Sequence, residues 1–375
     1  MRIGSLWAIS FASMYCILLF FAIAAMPAMA TESSGSIMEI TDLYDRTVTV
    51  PVHPDKIIGS NAGALRFICF LGVQDKVVAV DAYDNQVPTK YYGKSYLLAN
   101  PHFADLPIFG EGMGKDDPEK IVKIGPQVIF KTSPSAAKDL DELQTKTGIP
   151  VVGLKMGGLN TEQNKKDFYD SLKVIAKVMG KEARADEIIS YVDGQIAELE
   201  KRTVDVDAAK APTTYIGGVA FRGPHGIEST EPAYPPFKMI HANNIAESMG
   251  TDHADIAKEK IVDQDPSVIF VDLGTLQMNG TTGLDELKTD PSYQTLSAVK
   301  SGEVYGVLPY NWYSWNPDNM LADAWYIGSV LYPDKFSGLN MKEKANEIYN
   351  FFVQKPLYDE MNSQYDNLAF TRLTL

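Results

Sequence analysis

Two segments of this chain match each other, and they sit at equal distances from a long stretch without proline. Residues 119–130 read EKIVKIGPQVIF and residues 259–270 read EKIVDQDPSVIF, agreeing at Glu, Lys, Ile, Val, Pro, Val, Ile and Phe. Their midpoint falls near Gly194, inside KEARADEIISYVDGQIAELEKRT (residues 181–203), where Ile188, Tyr191, Ile196 and Leu199 recur at helical spacing among charges. A repeat array needs a short fixed period; two copies this far apart fit duplicated lobes. A helix over 181–203 rises about 1.5 Å per residue, roughly 34 Å in all, enough to reach from one small domain to another. The expected architecture is therefore α/β, two similar lobes joined by a single long helical strut.

The 375 residues leave room for two domains, each burying its own core. Arg2 is the only charged residue before Glu32, and the apolar run closes on Ala28-Met29-Ala30, a small-x-small site. This predicts a secretory signal over 1–30 cleaved after Ala30, with an uncleaved membrane anchor as the alternative. Either way the body lies outside the cytoplasm. Loss of Arg2 takes the formal net charge from −14 to −15, which excludes a nucleic-acid partner, since phosphates need clustered Lys and Arg. Cys69 is then the only thiol. It cannot form an internal disulfide and is expected to be a buried small hydrophobe.

Along the chain, 31–36 is a polar linker, 37–160 an N-terminal α/β lobe, 161–203 a helical segment containing the strut, and 204–375 a C-terminal α/β lobe. In the first lobe, 40–51 reads as a hairpin turning at Asp45-Arg46. Residues 56–60, 76–80, 128–130 and 150–154 read as strands, with helices over 64–71 and 136–147. In the second lobe, strands are expected at 213–219, 268–272 and 303–308. Helices are expected at 237–249 and 317–330, the latter capped by Asn316, and an amphipathic helical tail at 341–364 packs on the second lobe. This alternation predicts parallel sheets with both faces covered.

In order, DRTVTVP, KIIGSNAGALRFICFLG, DKVVAV, PEKIVKIGPQVIF, TGIPVV, a long helix, NNIAESMG and KIVDQDPSVIFVD resemble the helical-backbone solute-binding proteins of ABC importers. The resemblance covers nearly the whole chain after the signal. Members of that family capture ferric siderophores, haem, cobalamin and, in some cases, molybdate or tungstate. It implies two Rossmann-like lobes on one long helix, a limited hinge motion, a ligand between the lobes, and an ABC permease with its ATPase as partners.

Ligands of open α/β sheets collect where strands give way to loops. After residues 56–60 come Asn61, Gly63 and Arg66; after 76–80 come Tyr83 and Asn85. After 213–219 come Arg222, His225, Glu228, Glu231 and Tyr234, within the irregular RGPHGIESTEPAYPPF. Glycine permits close approach, and arginine's planar fork suits an oxyanion or carboxylate. Arg66 and Arg222 are the first-choice ligand contacts. His225, Glu228 and Glu231 also form a weak candidate metal set. Tyr310, Trp312, Tyr313 and Trp315 cluster before a helix; Trp312 and Tyr313 are the candidates to face the ligand. Glu119 and Glu259 occupy the same place in the two copies, each opening a helix whose N-terminus favours an acid. The resemblance gives them a further role, docking the two lobes onto a two-fold symmetric permease.

No nucleophile elbow, phosphate loop or HExxH is present, so a binding protein without a cofactor is expected over a secreted hydrolase. Two cargo classes stay open. A metal chelate of the siderophore, haem or corrinoid class would use arginines and aromatics together; a molybdate-like oxyanion would use Arg, Asn and backbone N–H groups.

Overall fold

The duplicated segments take the same local structure. Helix Pro118–Ile124 turns at Gly125 (φ 68°) into strand Val128–Thr132, and helix Lys258–Gln264 turns at Asp265 (φ 39°) into strand Val268–Asp272. The causes are local. Ile121 and Ile261 are each fully buried and pin their helix to the layer beneath. A left-handed residue followed by Pro126 or Pro266 cannot continue a helix. The Val-Ile-Phe that follows is buried in both copies, as suits a strand covered on both faces.

A computed structural model describes residues 36–85, 90–207, 210–311 and 313–375. In the first half, strands Ile57–Ser60, Val128–Thr132 and Val151–Leu154 form a parallel sheet in that order, with Ile57 opposite Val128 and Ile129 opposite Val151. In the second half, Val268–Asp272 lies between Thr213–Gly217 and Val304–Val307, again parallel to both. Asn243–Asn244 and the antiparallel Thr371–Arg372 form the edges. The order of preceding strand, repeat strand and following strand is thus the same in both sheets. An antiparallel hairpin, Ile37–Thr41 with Thr47–Pro51, turns at residues 42–46 and precedes the first sheet.

The long helix runs Glu182–Thr203, after a second helix, Glu162–Met179, that ends at Gly180 (φ 65°). A Cβ at Gly180 would lie 2.4 Å from the His53 ring, so the break needs glycine both for its φ and for space. The strut buries Ala185, Ile188, Val192, Leu199 and Thr203. It packs on Glu162–Met179 and on helix Pro317–Leu331 of the second half, to which Gln195 is tied by the Trp325 indole N–H (2.8 Å).

Several expectations are corrected. Residues 76–80 make only single bridges, Val77 beside Ile57 and Val80 beside Ile108. The helix expected over 237–249 is limited to Pro235–Met239, followed by strand Asn243–Asn244 and a 3-10 turn, Glu247–Met249. His241 takes φ 53°, and the Asn244 amide donates back to the carbonyls of Glu231 and Pro232, so the chain leaves the helix there. Asn316 precedes helix Pro317–Leu331 without a side-chain cap bond; its amide donates to the carbonyls of Tyr310 and Ser314 (3.2 Å each). The tail is two helices, Met341–Val353 and Tyr358–Gln364, broken at left-handed Gln354. It packs on both halves: Phe352 meets Phe70 of the first at 4.7 Å between rings. Each half keeps an apolar cluster of its own, around Ile129 and Leu140 in the first and around Ile227 and Ile269 in the second, and a further cluster runs between them from Ile57, Phe70 and Phe130 through to Phe270, Leu308 and Trp325. Cys69 is buried as expected, and burial pushes its thiol pKa well up. The signal and most of the linker (1–35) lie outside the described residues; among those described, no helix is long and apolar enough to cross a membrane.

Candidate functional site

The site is built on the loop that follows strand Val304–Val307. Tyr313 (φ 46°) and Ser314 (φ 90°) both lie in the left-handed region, a strained arrangement that persists only where the surroundings hold it. Here the first half holds it. A Cβ at Gly63 would meet Ser314 Oγ at 2.5 Å, and one at Gly158 would meet the Trp315 ring at 2.2 Å. One at Gly112 would meet the Tyr83 ring at 2.3 Å, and that ring stacks on Tyr313 (centroids 4.7 Å apart, planes 8°). Three glycines therefore make the seat into which an aromatic loop of the second half fits.

Polar groups fix the loop in that seat. Arg66, on helix Ala64–Phe70, donates to the carbonyls of Trp315 (2.8 Å) and Tyr313 (3.2 Å), with its guanidinium over the Tyr96 ring at 5.0 Å. Tyr313 Oη donates to Asp81 Oδ2 at 2.6 Å. Burial first, and the neighbouring Asp84 second, push the Asp81 pKa up to about 7, against the pull of the Tyr313 bond. Lys94 lies buried beside Asp84 (3.6 Å) and over the Tyr313 ring (4.7 Å); burial pulls its pKa down.

Beside this loop is a cavity of about 480 Å³. Tyr83, Tyr92 and Met113 line it from the first half, Phe221, Arg222, Tyr313 and Trp315 from the second. Arg222 (φ 56°) is exposed and makes no hydrogen bond or ion pair among the described residues; it rests only against its neighbour Phe221, 5.3 Å from the ring centroid. It is a cation available to a ligand in a cavity with aromatic walls.

Of the residues singled out in the sequence, Tyr83, Arg222 and Tyr313 meet at this cavity. Gly63 forms its loop seat. Asn61 (φ 70°) is held by its amide on the Thr132 carbonyl at 3.0 Å and faces an adjoining cavity. The others sit elsewhere. Arg66 is buried, with its two terminal nitrogens on loop carbonyls and its Nε without a hydrogen-bond partner among the described residues; a guanidinium inside a core needs such acceptors. The Asn85 amide donates to three carbonyls, of Phe103, Ala104 and Leu106. Tyr234 lies in the core, 3.5 Å from Asp323. Glu231 is buried, accepts from Tyr310 Oη (2.7 Å), and is pushed up to about 7 by burial. Glu228 is exposed near Tyr293 Oη (3.4 Å), and His225 Nε2 is 2.7 Å from the Phe221 carbonyl. His225, Glu228 and Glu231 do not converge: no group of three metal-capable side chains exists among the described residues. Trp312 lies outside them. Glu119 and Glu259 are both exposed in the first turns of their helices.

Sequence reasoning passed over Asp81, Lys94, Tyr92, Met113, Met156 and the seat glycines Gly112 and Gly158. The run EGMGK around Met113 was the one visible signal, since Gly112, Met113 and Gly114 all take positive φ.

A family model described as periplasmic binding protein matches residues 59–310. The molybdate-binding protein MolA of Haemophilus influenzae is 23% identical over 334 residues, covering 84% of this chain and 90% of its own. The iron(3+)-hydroxamate-binding protein FhuD of Bacillus subtilis is 23% identical over 335 residues, covering 85% and 96%. Among solved structures, a periplasmic solute binding protein from Veillonella parvula superposes with a TM-score of 0.70 at 17% identity, covering 88% of this chain and 97% of that one. Molybdate-bound MolA gives 0.66 at 21%, covering 85% and 98%. At such identities the structural likeness carries the fold, and the cargo has to be argued from the cavity.

Proposed function

The chain belongs to the periplasmic binding protein family, and from that membership we propose that it is the extracytoplasmic solute receptor of an ABC importer, carrying an anionic metal chelate in the cavity beside Tyr313. The two lobes of this receptor are 37–160 and 204–375, joined by the helical segment 161–203. The observation that carries the reading is the pairing of an uncommitted Arg222 with the Tyr83–Tyr313 stack around about 480 Å³. That volume falls within the range of pockets for organic ligands, about 300–1,000 Å³. Flat aromatic faces suit the apolar surface of a chelate, and the guanidinium offsets its negative charge. The acidic chain, with formal net charge −14, makes a cation at the site the more necessary for an anionic cargo.

The relative MolA favours a second reading, a molybdate or tungstate oxyanion held by Arg222 and backbone N–H groups. Against it, Arg66 is spent on the carbonyls of residues 313 and 315, so the two arginines do not converge on a small anion. In either case the protein binds its ligand without turnover. Glu119 and Glu259, exposed at equivalent places, are the docking points for the permease, which works with its ATPase.

Substitution of the exposed Arg222 by alanine tests the site. Affinity for a ferric chelate is expected to fall at least tenfold with the melting temperature unchanged; unchanged affinity removes Arg222 from the site. Reversal of both Glu119 and Glu259 is expected to abolish transport and leave ligand affinity intact.

A further inference from the structure

The part of the cavity wall that carries Arg222 is gripped by two histidines. Phe221 lines the cavity and is 37% exposed, and the His253 ring stacks on it, centroids 4.3 Å apart and planes 9°. His225 Nε2 lies 2.7 Å from the Phe221 carbonyl, and the two imidazoles are 5.8 Å apart between centroids. The antiparallel pairing of Ser229–Thr230 with Ala254–Asp255 brings His253 to this loop. The loop is tight: the Phe221 N–H donates to the Gly223 carbonyl at 2.9 Å, with Arg222 at φ 56° and Gly223 at φ 141°. A left-handed arginine needs its neighbours held, and the histidines hold the residue before it.

The partners assign the ring protons. A carbonyl only accepts, so His225 Nε2 carries a hydrogen. Ser229 Oγ gives its own hydrogen to the Val219 carbonyl at 2.7 Å and therefore accepts from His253 Nε2, 3.4 Å away. The His253 lone pair is left on Nδ1, which is buried and has no hydrogen-bond partner among the described residues. A proton added there becomes a buried, charged donor without an acceptor, which is costly. The surrounding charges do not remove that cost. Asp252 and Asp255 are exposed, Glu228, beside Ser229, lies 3.4 Å from the Tyr293 hydroxyl, and a charged His253 ring meets a basic neighbour in His225. Burial pulls the His253 pKa below its ordinary value; Asp255 opposes this and His225 adds to it. A charged ring would gain a cation–π contact on Phe221, but Arg222 already lies over that ring at 5.3 Å, and the gain is smaller than the cost of the orphaned donor.

We propose that His253 and His225 are the positioning residues of this site: their neutral rings hold Phe221 against the cavity and Arg222 toward its cargo, and protonation of His253 releases both. It rests on Arg222 as a ligand contact and adds what keeps that arginine in place. The direction in pH follows. With the wall in place the His253 pKa is depressed, whereas a released ring titrates near 6.5. The hold is therefore fully present above about pH 6.5 and is lost as pH falls through the depressed value.

The test follows the wall by NMR and then by binding. The His253 imidazole, assigned by its nuclear Overhauser contact with the Phe221 ring, and the amides of Phe221, Arg222 and Gly223 are titrated from pH 7.5 to 5. The amides are expected to shift with the midpoint of the His253 ring, below about 6.5, and to stop shifting in His253→Phe, which keeps a stacked ring that takes no charge. His225→Gln, whose amide still reaches the Phe221 carbonyl as a donor, is expected to keep the wild-type amide positions, and His225→Ala to displace them. Each variant is checked by its melt; if His253→Phe does not fold, the wild-type co-titration decides. Affinity for iron(III) citrate, as an anionic probe, is then measured at both ends of the range. The ratio of wild-type to His253→Phe affinity cancels changes in the probe and in Asp81, and is expected to fall at least about threefold on acidification. Amides that stay in place while His253 titrates, or that move equally in His253→Phe, overturn the inference. Amides that move with His253 at a constant affinity ratio remove Arg222 from the site instead. Failure of iron(III) citrate to bind either protein counts against the chelate reading, and the amides still decide the role of the histidines.

Discussion

The two copies of the repeat share a backbone and handle a buried charge in opposite ways. After the common Val-Ile-Phe, the first copy continues Lys131-Thr132 and the second Val271-Asp272. Lys131 is 5% exposed and is neutralised by Asp116 at 2.6 Å, with Ser60 Oγ at 3.1 Å. Asp272 is fully buried; Oδ1 accepts from the Gly274 N–H at 2.8 Å, while Oδ2 has no hydrogen-bond partner among the described residues. Burial pushes its pKa up to about 8, so near neutrality it stays largely protonated. One half compensates charge with a counter-charge and keeps a polar opening beside the site. The other takes up a proton at a fully buried carboxyl. The duplicated backbone therefore sets the sheet, and the residues at the strand ends decide how each half meets the charge it buries.

The largest effect that would break this comparison comes from the ion pair. Lys131→Met leaves Asp116 buried without its partner and is expected to destabilise the fold by about 3–5 kcal/mol; adding Asp116→Asn is expected to restore much of it, since removal of both charges of a buried pair is often neutral. Denaturant titration of the single and double variants measures this. A single variant within about 0.5 kcal/mol of wild type would mean that the pair is solvated.

Asp272 gives the next largest effect, through pH. Its folded pKa of about 8 lies above the unfolded value of about 3.9, so between those values the folded state binds more protons and stability falls as pH rises. The contribution is fully present below about pH 4 and is lost through pH 8. Asp272→Asn has no such proton to lose, so its melting temperature relative to wild type is expected to climb steadily from pH 4 to 8. A constant difference across that range would place the wild-type carboxyl in its ordinary ionised state.

The smallest effects lie at the helix caps that open the two copies. The Asp117 side chain accepts from the N–H groups of Glu119 and Lys120 (3.1 Å each), whereas its counterpart position, Ala257, has no cap bond. Asp117→Ala is expected to cost about 1 kcal/mol. Ala257→Asp, at an extended backbone (φ −57°, ψ 141°), is expected to gain a few tenths of that. Thermal melts of the two variants shift in opposite directions if the copies are equivalent here.

What could be read from sequence follows the same division. The repeat, its strands and the strut were legible because each rests on short-range pattern: Val-Ile-Phe after a proline, and a period near 3.6 over residues 182–203. Tyr83, Arg222 and Tyr313 were legible as aromatic and cationic residues in loops after strands. Arg66 was not, because its acceptors are carbonyls 247 and 249 residues away in sequence. The seat made by Gly63, Gly112 and Gly158 was equally hidden, since each glycine matters only for the ring or hydroxyl brought against it from elsewhere in the chain. The 237–249 segment misled because its apolar spacing is helical, while Asn244 and His241 are held by tertiary hydrogen bonds.

The central claim is that the aromatic cavity receives a metal chelate, and a thermal melt tests it most directly. The purified protein is heated with ferric siderophores, haem, cobalamin, molybdate and tungstate in parallel, each in large excess. A ligand at 100 times its dissociation constant adds about 2.7 kcal/mol of stability. The account predicts a rise in melting temperature with at least one chelate and none with the oxyanions; a rise with molybdate or tungstate alone contradicts it.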